Sequence, residues 1–175
     1  LPPGEDASCP YFWPIGNRYI FLFFSHTTGS QYLLGDYNKE EHCFYPTFHG
    51  RFNFMSFLPG GVHAPSATSD GKGGVIVIHN MHTGKKSPGW RGITTLPRKL
   101  TLDKCDTINI QPYGDYKSLR THHQHIDKTH LPANKEIIID NIQGNALEIK
   151  AEINIKSSPM IEMNVLRSPD KEEFT

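Results

Sequence analysis

Long apolar runs are missing from this chain of 175 residues: the longest, Tyr19 to Phe24, is far below the roughly 18 residues of a membrane-spanning helix. A soluble chain without a membrane partner is therefore expected. Net charge is also absent. Eighteen Lys and Arg side chains match eighteen Asp and Glu side chains, which excludes a chain-wide field for binding nucleic acid. Cysteine is scarce: Cys9, Cys43 and Cys105 are odd in number and far apart, unlike a disulfide framework or paired zinc ligands. Buried free thiols are expected. No segment shows an amphipathic helix of three turns. The chain opens at Leu1 without methionine and stops soon after a turn-like Ser168-Pro169-Asp170-Lys171, so it reads as a fragment whose compartment and oligomeric state stay open. In contrast, Gly (15), Pro (13), Phe (10) and Tyr (7) are plentiful, the mixture of an all-β chain with many short strands.

The pass along the chain gives Arg18 to Ser25 as a strand buried on both faces, then Gln31 to Tyr37 and Cys43 to Phe48 at hairpin spacing. Val75 to Ile78 follows a Gly73-Gly74 turn. Ile93 to Leu96 and Lys99 to Leu102 are interrupted at Pro97, which cannot donate a ladder bond, and Thr107 to Gln111 ends the series. The two blocks, 9–57 and 58–112, each have the size of a four-stranded propeller blade. Residues 113–130 are polar, with a helical turn expected over Asp115 to Arg120, and read as a connector. Beyond it, Leu147, Ile149, Ala151, Ile153 and Ile155 alternate with polar residues up to Lys156, the period of a half-buried strand. Glu136 to Asp140 and Met160 to Arg167 are further strand candidates, and together they suggest a β-sandwich.

Four blocks and a tripeptide carry a resemblance: Cys9-Pro10-Tyr11-Phe12-Trp13-Pro14-Ile15, Tyr32-Leu33-Leu34-Gly35-Asp36-Tyr37, His63-Ala64-Pro65-Ser66, Gly89-Trp90-Arg91-Gly92 through Leu96-Pro97-Arg98-Lys99-Leu100, and Ser118-Leu119-Arg120. In order and spacing they resemble the second half of glycoside hydrolase family 32, the invertases and fructanases. The resemblance implies the last two blades of a five-bladed β-propeller (residues 1–112), a connector (113–130) and the start of a C-terminal β-sandwich (131–175). It also implies hydrolysis of terminal β-fructofuranosyl units of sucrose or fructans, with a carbohydrate substrate, no metal and no organic cofactor. A secreted or periplasmic location would fit the family.

Retaining glycosidases use two carboxyl groups about 5–5.5 Å apart. The family's Asn-Asp-Pro-Asn nucleophile motif and its Arg-Asp-Pro motif do not occur in these residues, so the chain alone is expected to be inactive. Where the family has a glutamate before Cys-Pro, this sequence has Ser8, whose hydroxyl cannot act as the acid. Asp6 and Glu5 are the replacement candidates. Residues two apart in an extended chain share a face, which favours Asp6; a Pro2-Pro3-Gly4 turn erases that parity, and Glu5 reaches further. If both are solvated loop carboxylates, the acid has been lost or relocated. His63 and Asn80, with Ser8, are candidates to hydrogen-bond a sugar, and Trp13 and Trp90 to stack on one, although a buried tryptophan in a small all-β domain is more often core. Arg98 reads as structural. His122, His123, His125 and His130 raise a zinc hypothesis, but they lie in the connector without accompanying ligands and read as solvated. The rivals to a β-fructosidase are a sugar-binding propeller that has lost hydrolysis and a related furanosidase acting on another sugar.

Overall fold

The computed structural model describes residues 1, 3–52, 61–82, 89, 92–144, 146–155 and 157–165. Two compact units result, Leu1–Gly114 and Asp115–Thr175. The first is built of antiparallel β-strands. Four make one sheet in sequence order: β1 (Ser8–Ile15), β2 (Arg18–Ser25), β3 (Gly29–Asn38) and β4 (Cys43–Arg51). The second sheet holds β5 (Gly61–Ser69), β6 (Val75–His82), β7 (Ile93–Thr94), β8 (Arg98–Leu102) and β9 (Ile108–Pro112), in the order β5-β6-β8-β9 with β7 paired to β6. The second sheet falls within the expected block 58–112, and the first begins one residue ahead of the block 9–57. No α-helix occurs among the described residues, and no helix there is long and apolar enough to cross a membrane.

Local chemistry explains these meanders. Ile15 pairs with Arg18, leaving Gly16-Asn17 as a two-residue turn in which Gly16 takes a φ of 58°. At Pro97 the ladder breaks into β7 and β8, as the missing N–H requires. Thr95 spans the gap: its N–H donates to the His79 carbonyl (2.8 Å), and its Oγ1 accepts from the His79 N–H (3.0 Å). Sequence periodicity missed β1 and β5. Both are edge strands that carry proline (Pro10 and Pro14; Pro65) and a bulge, features that hide a strand from an alternation test.

Ile15, Ile20, Leu22 and Leu34 of the first sheet meet Val75, Val77 and Leu100 of the second in one core, all at most 1% exposed. Full burial of such aliphatic side chains contributes about 1.5–3 kcal/mol each. Polar ties join the sheets as well. Gly16 N–H donates to Gly73 O (2.8 Å), the Trp13 indole N–H to Ala67 O (3.3 Å), and the Arg18 guanidinium to Asp106 (2.5 Å). The cysteines are free but not buried as expected: Cys9 and Cys105 are exposed and Cys43 is half-buried, since all three lie on edge strands or in turns.

In the second unit a 3₁₀ turn over Tyr116–Leu119 sits within the expected helical segment. Arg120 clamps Glu148 bidentately, at 2.5 Å for each bond. The strands expected at Glu136 to Asp140, Leu147 to Lys156 and Met160 to Arg167 do not form among the described residues. Leu147, Ile149, Ile153 and Ile155 are all more than 40% exposed. Period-two alternation prepares an apolar face, but a strand exists only where a second strand accepts its ladder bonds.

Candidate functional site

The sheet register brings the acidic lead of the chain to one rim of the first sheet. Ser8 lies opposite Phe24, and Ser25 opposite Gly29, so the turn His26-Thr27-Thr28 projects beside Glu5 and Asp6. Gln31 pairs with Arg51 on the next strand.

The Glu5 side chain is only 6% exposed, although the residue as a whole is half-buried. Thr28 Oγ1 lies 2.8 and 2.6 Å from its two oxygens, Gln31 Nε2 donates at 3.0 Å, and an Arg51 nitrogen lies 3.5 Å away. The network continues inward, with the Gln31 Oε1 accepting from His49 Nε2 (2.5 Å). Because that oxygen can only accept, Nε2 of His49 carries a proton. Burial pushes the Glu5 carboxyl up, but hydrogen bonds from Ser25, Thr28 and Gln31 and the charge of Arg51 outweigh it, so Glu5 sits below the usual glutamate value. Burial and Arg51 lower the His49 imidazole, against an opposing pull from Glu5.

Asp6 turns to different partners. Ser8 Oγ donates to its Oδ2 at 2.7 Å, the His26 backbone N–H donates to Oδ1 at 2.9 Å, and His26 Nδ1 lies 2.6 Å from Oδ2. The Ser8 and His26 hydrogen bonds hold the Asp6 carboxyl far below the ordinary carboxylate range. A general acid needs a carboxyl shifted upward, and both are shifted downward, because each accepts several hydrogen bonds. What the group offers at neutral pH is two fixed anions and one oriented imidazole.

Phe24 extends this rim to the second sheet. The His26 ring meets it edge-on at 5.0 Å, and the buried His63 stacks on it at 4.9 Å. The pairs Val62–Met81 and Pro65–His79 bracket the β5 bulge that holds His63, which places exposed Asn80 across from it. Glu5, Asp6, Ser8, His63 and Asn80 are thus brought toward one end of the sheets. Trp13 is not: it packs against the core and hydrogen-bonds β5. His79 is fully buried beside Phe52, and burial together with Arg98 lowers it to about 4. Trp90 and Arg91 lie outside the described residues. Among the described residues no three His, Cys, Asp or Glu side chains gather as metal ligands.

His26, Thr28, Gln31, His49 and Arg51 were not anticipated. Gln31 had a legible signal, a large polar side chain at the head of an apolar strand. A shallow concavity of about 480 Å³ lined by Phe12, Phe21, Leu33, Tyr37 and Phe44 lies on the first sheet, but it contains no carboxyl for acid–base chemistry.

No family model and no curated protein matches the chain. Among solved structures, it is similar to a glycoside hydrolase family 32 structure from Bifidobacterium adolescentis, at 15% identity and a TM-score of 0.49. That likeness covers 64% of this chain and 19% of the other, so the chain spans about a fifth of that protein's length.

Proposed function

We propose that this chain is part of a glycoside hydrolase that releases terminal β-fructofuranosyl units from sucrose or fructans by the retaining, two-carboxylate route, with Asp6 and Glu5 as acidic residues of its site. The ordered sequence blocks, from Cys9-Pro10 through Gly89 to Leu100 and on to Ser118-Leu119-Arg120, support it. The observation that carries it is the convergence of Glu5, Asp6, Ser8 and His63 on one rim, two of them bonded to each other and His63 joined through Phe24. Ser8 then positions Asp6, and His63 and Asn80 hold sugar hydroxyls. In this reading residues 1–112 are the last two blades of a propeller, 113–130 a connector and 131–175 the start of a sandwich. The nucleophile comes from outside these residues, and the location is secreted or periplasmic. The test is to incubate the intact protein carrying this chain with sucrose, inulin and levan, following fructose by chromatography and the anomer first released by NMR. Release of the β-anomer is expected. No fructose from any of them, or release of the α-anomer, refutes the reading.

One feature favours a second reading, a sugar-binding module without turnover: both carboxyls are held as ionised hydrogen-bond acceptors, which suits gripping hydroxyl groups. Calorimetric binding of fructose or levan without hydrolysis would decide for it.

A further inference from the structure

We propose that the proton-transfer group of this site is His26, oriented by Asp6; the proposal rests on the glycosidase reading above and replaces its second carboxyl, the acid/base, by this imidazole. Three observations combine. Asp6 grips His26 at two points, taking the backbone N–H on one oxygen (2.9 Å) and facing ring Nδ1 with the other (2.6 Å). Since the carboxylate accepts, Nδ1 carries the hydrogen, and Nε2 is left as the nitrogen that gains and loses a proton. Ser8 Oγ, 3.5 Å from Nδ1, donates to the same Asp6 oxygen and holds the carboxylate in place. The serine that occupies the usual glutamate position therefore has a task in the substitute arrangement.

Accessibility is the second point. The His26 side chain is 71% exposed, whereas Glu5 is closed in by Thr28, Gln31 and Arg51. Third, the Phe24 ring contacts both His26 (5.0 Å, edge-on) and His63 (4.9 Å, stacked), which ties the imidazole to the second sheet's part of the rim. Among the described residues, the charged or titratable groups tied to His26 are Asp6, bonded to it directly, and His63, which shares Phe24; Ser8 and Phe24 bring no charge.

The chemistry balances. An enzymic carboxylate bonds to the anomeric carbon as the bond to the leaving oxygen breaks. That oxygen keeps the bonding pair and takes the Nε2 proton from imidazolium. Neutral Nε2 next removes a proton from water, whose oxygen displaces the carboxylate and frees the sugar.

The experiment compares the intact wild-type protein with His26→Asn on sucrose and on an aryl β-fructofuranoside with a p-nitrophenolate leaving group. General acid catalysis contributes about 10²–10⁴-fold. On sucrose, kcat/KM is expected to fall at least 100-fold, on the activated substrate less than 10-fold, with the alkaline limb of the latter's pH profile lost. Equal losses on both substrates, or none on sucrose, overturn the assignment of His26 while leaving the glycosidase reading intact. A wild-type protein inactive on both overturns the reading itself, and the proposal with it. Should the variant fail to fold, ¹⁵N shifts of wild-type His26 decide: the neutral ring must carry its hydrogen on Nδ1, and an Nε2–H tautomer overturns the proposal. Asp6→Asn is expected to lower sucrose turnover and redistribute that tautomer, as a positioning residue should.

Discussion

Replacing Glu5 by Gln tests whether the buried carboxylate is held by charge or only by shape. The side chain is 6% exposed and accepts from Thr28 and Gln31, with Arg51 alongside. Hydrogen bonds to an ionised partner contribute about 1.5–3 kcal/mol, against about 0.5–1.5 kcal/mol for neutral pairs. Losing the charge at two such bonds costs about 2 kcal/mol. Arg51 is half-exposed and adds only about 0.5 kcal/mol. At about 2.1 cal/mol/K of unfolding entropy per residue, a unit of about 110 residues loses roughly 11 °C in Tm. The pH dependence is the sharper readout. The folded-state carboxyl lies below its ordinary value of 4.5, so its stabilisation is complete above that value and is lost as pH falls through the lower one. Gln does not titrate. The wild-type advantage over Glu5→Gln, read from thermal or urea unfolding of the 175-residue chain, should be full at pH 7 and close below about pH 4. A Tm gap under about 2 °C at pH 7, or one unchanged at pH 3, would refute the network's electrostatic account.

Other expectations follow from the core and the turns. Leu22→Ala empties a fully buried position in the inter-sheet core and should cost about 3 kcal/mol in urea unfolding; a loss below about 1 kcal/mol would mean that the sheets do not pack there. His79 is buried with its imidazole lowered to about 4, so the neutral form is favoured: its contribution is intact above 6.5 and is lost as pH drops through about 4. His79→Leu should flatten the stability profile over that window by on the order of 3 kcal/mol, measured by unfolding at pH 7 and pH 4. A Cβ at Gly35 would collide with the backbone of Tyr45 and Pro46 at the β3–β4 bulge. Gly35→Ala should therefore disrupt that pairing, with lost amide protection in β4 and a cost of at least about 2 kcal/mol.

Much of the first unit was legible in residue order. Tyr19 to Phe24 and Val75 to Ile78 announce core strands because apolar, β-branched and aromatic residues there have nowhere else to go, and Pro97 announces the broken ladder because it lacks an N–H. The acidic pair was visible too, as was the reason Ser8 cannot serve as the acid. Asp6 and Ser8, two apart in the lead, are joined by a 2.7 Å hydrogen bond.

Other properties depend on partners distant in sequence. Whether Glu5 is solvated or buried is set by Thr28, Gln31 and Arg51, which only the β2–β3–β4 register delivers. His26 gains its orientation from a carboxylate twenty positions away. Conversely, the alternation from Leu147 to Ile155 is evident in the residues yet makes no strand, because a ladder needs a second backbone to accept it. Side-chain chemistry and period are written locally and read locally; protonation, burial and pairing are energies of contact, and contacts exist only once the chain has closed on itself.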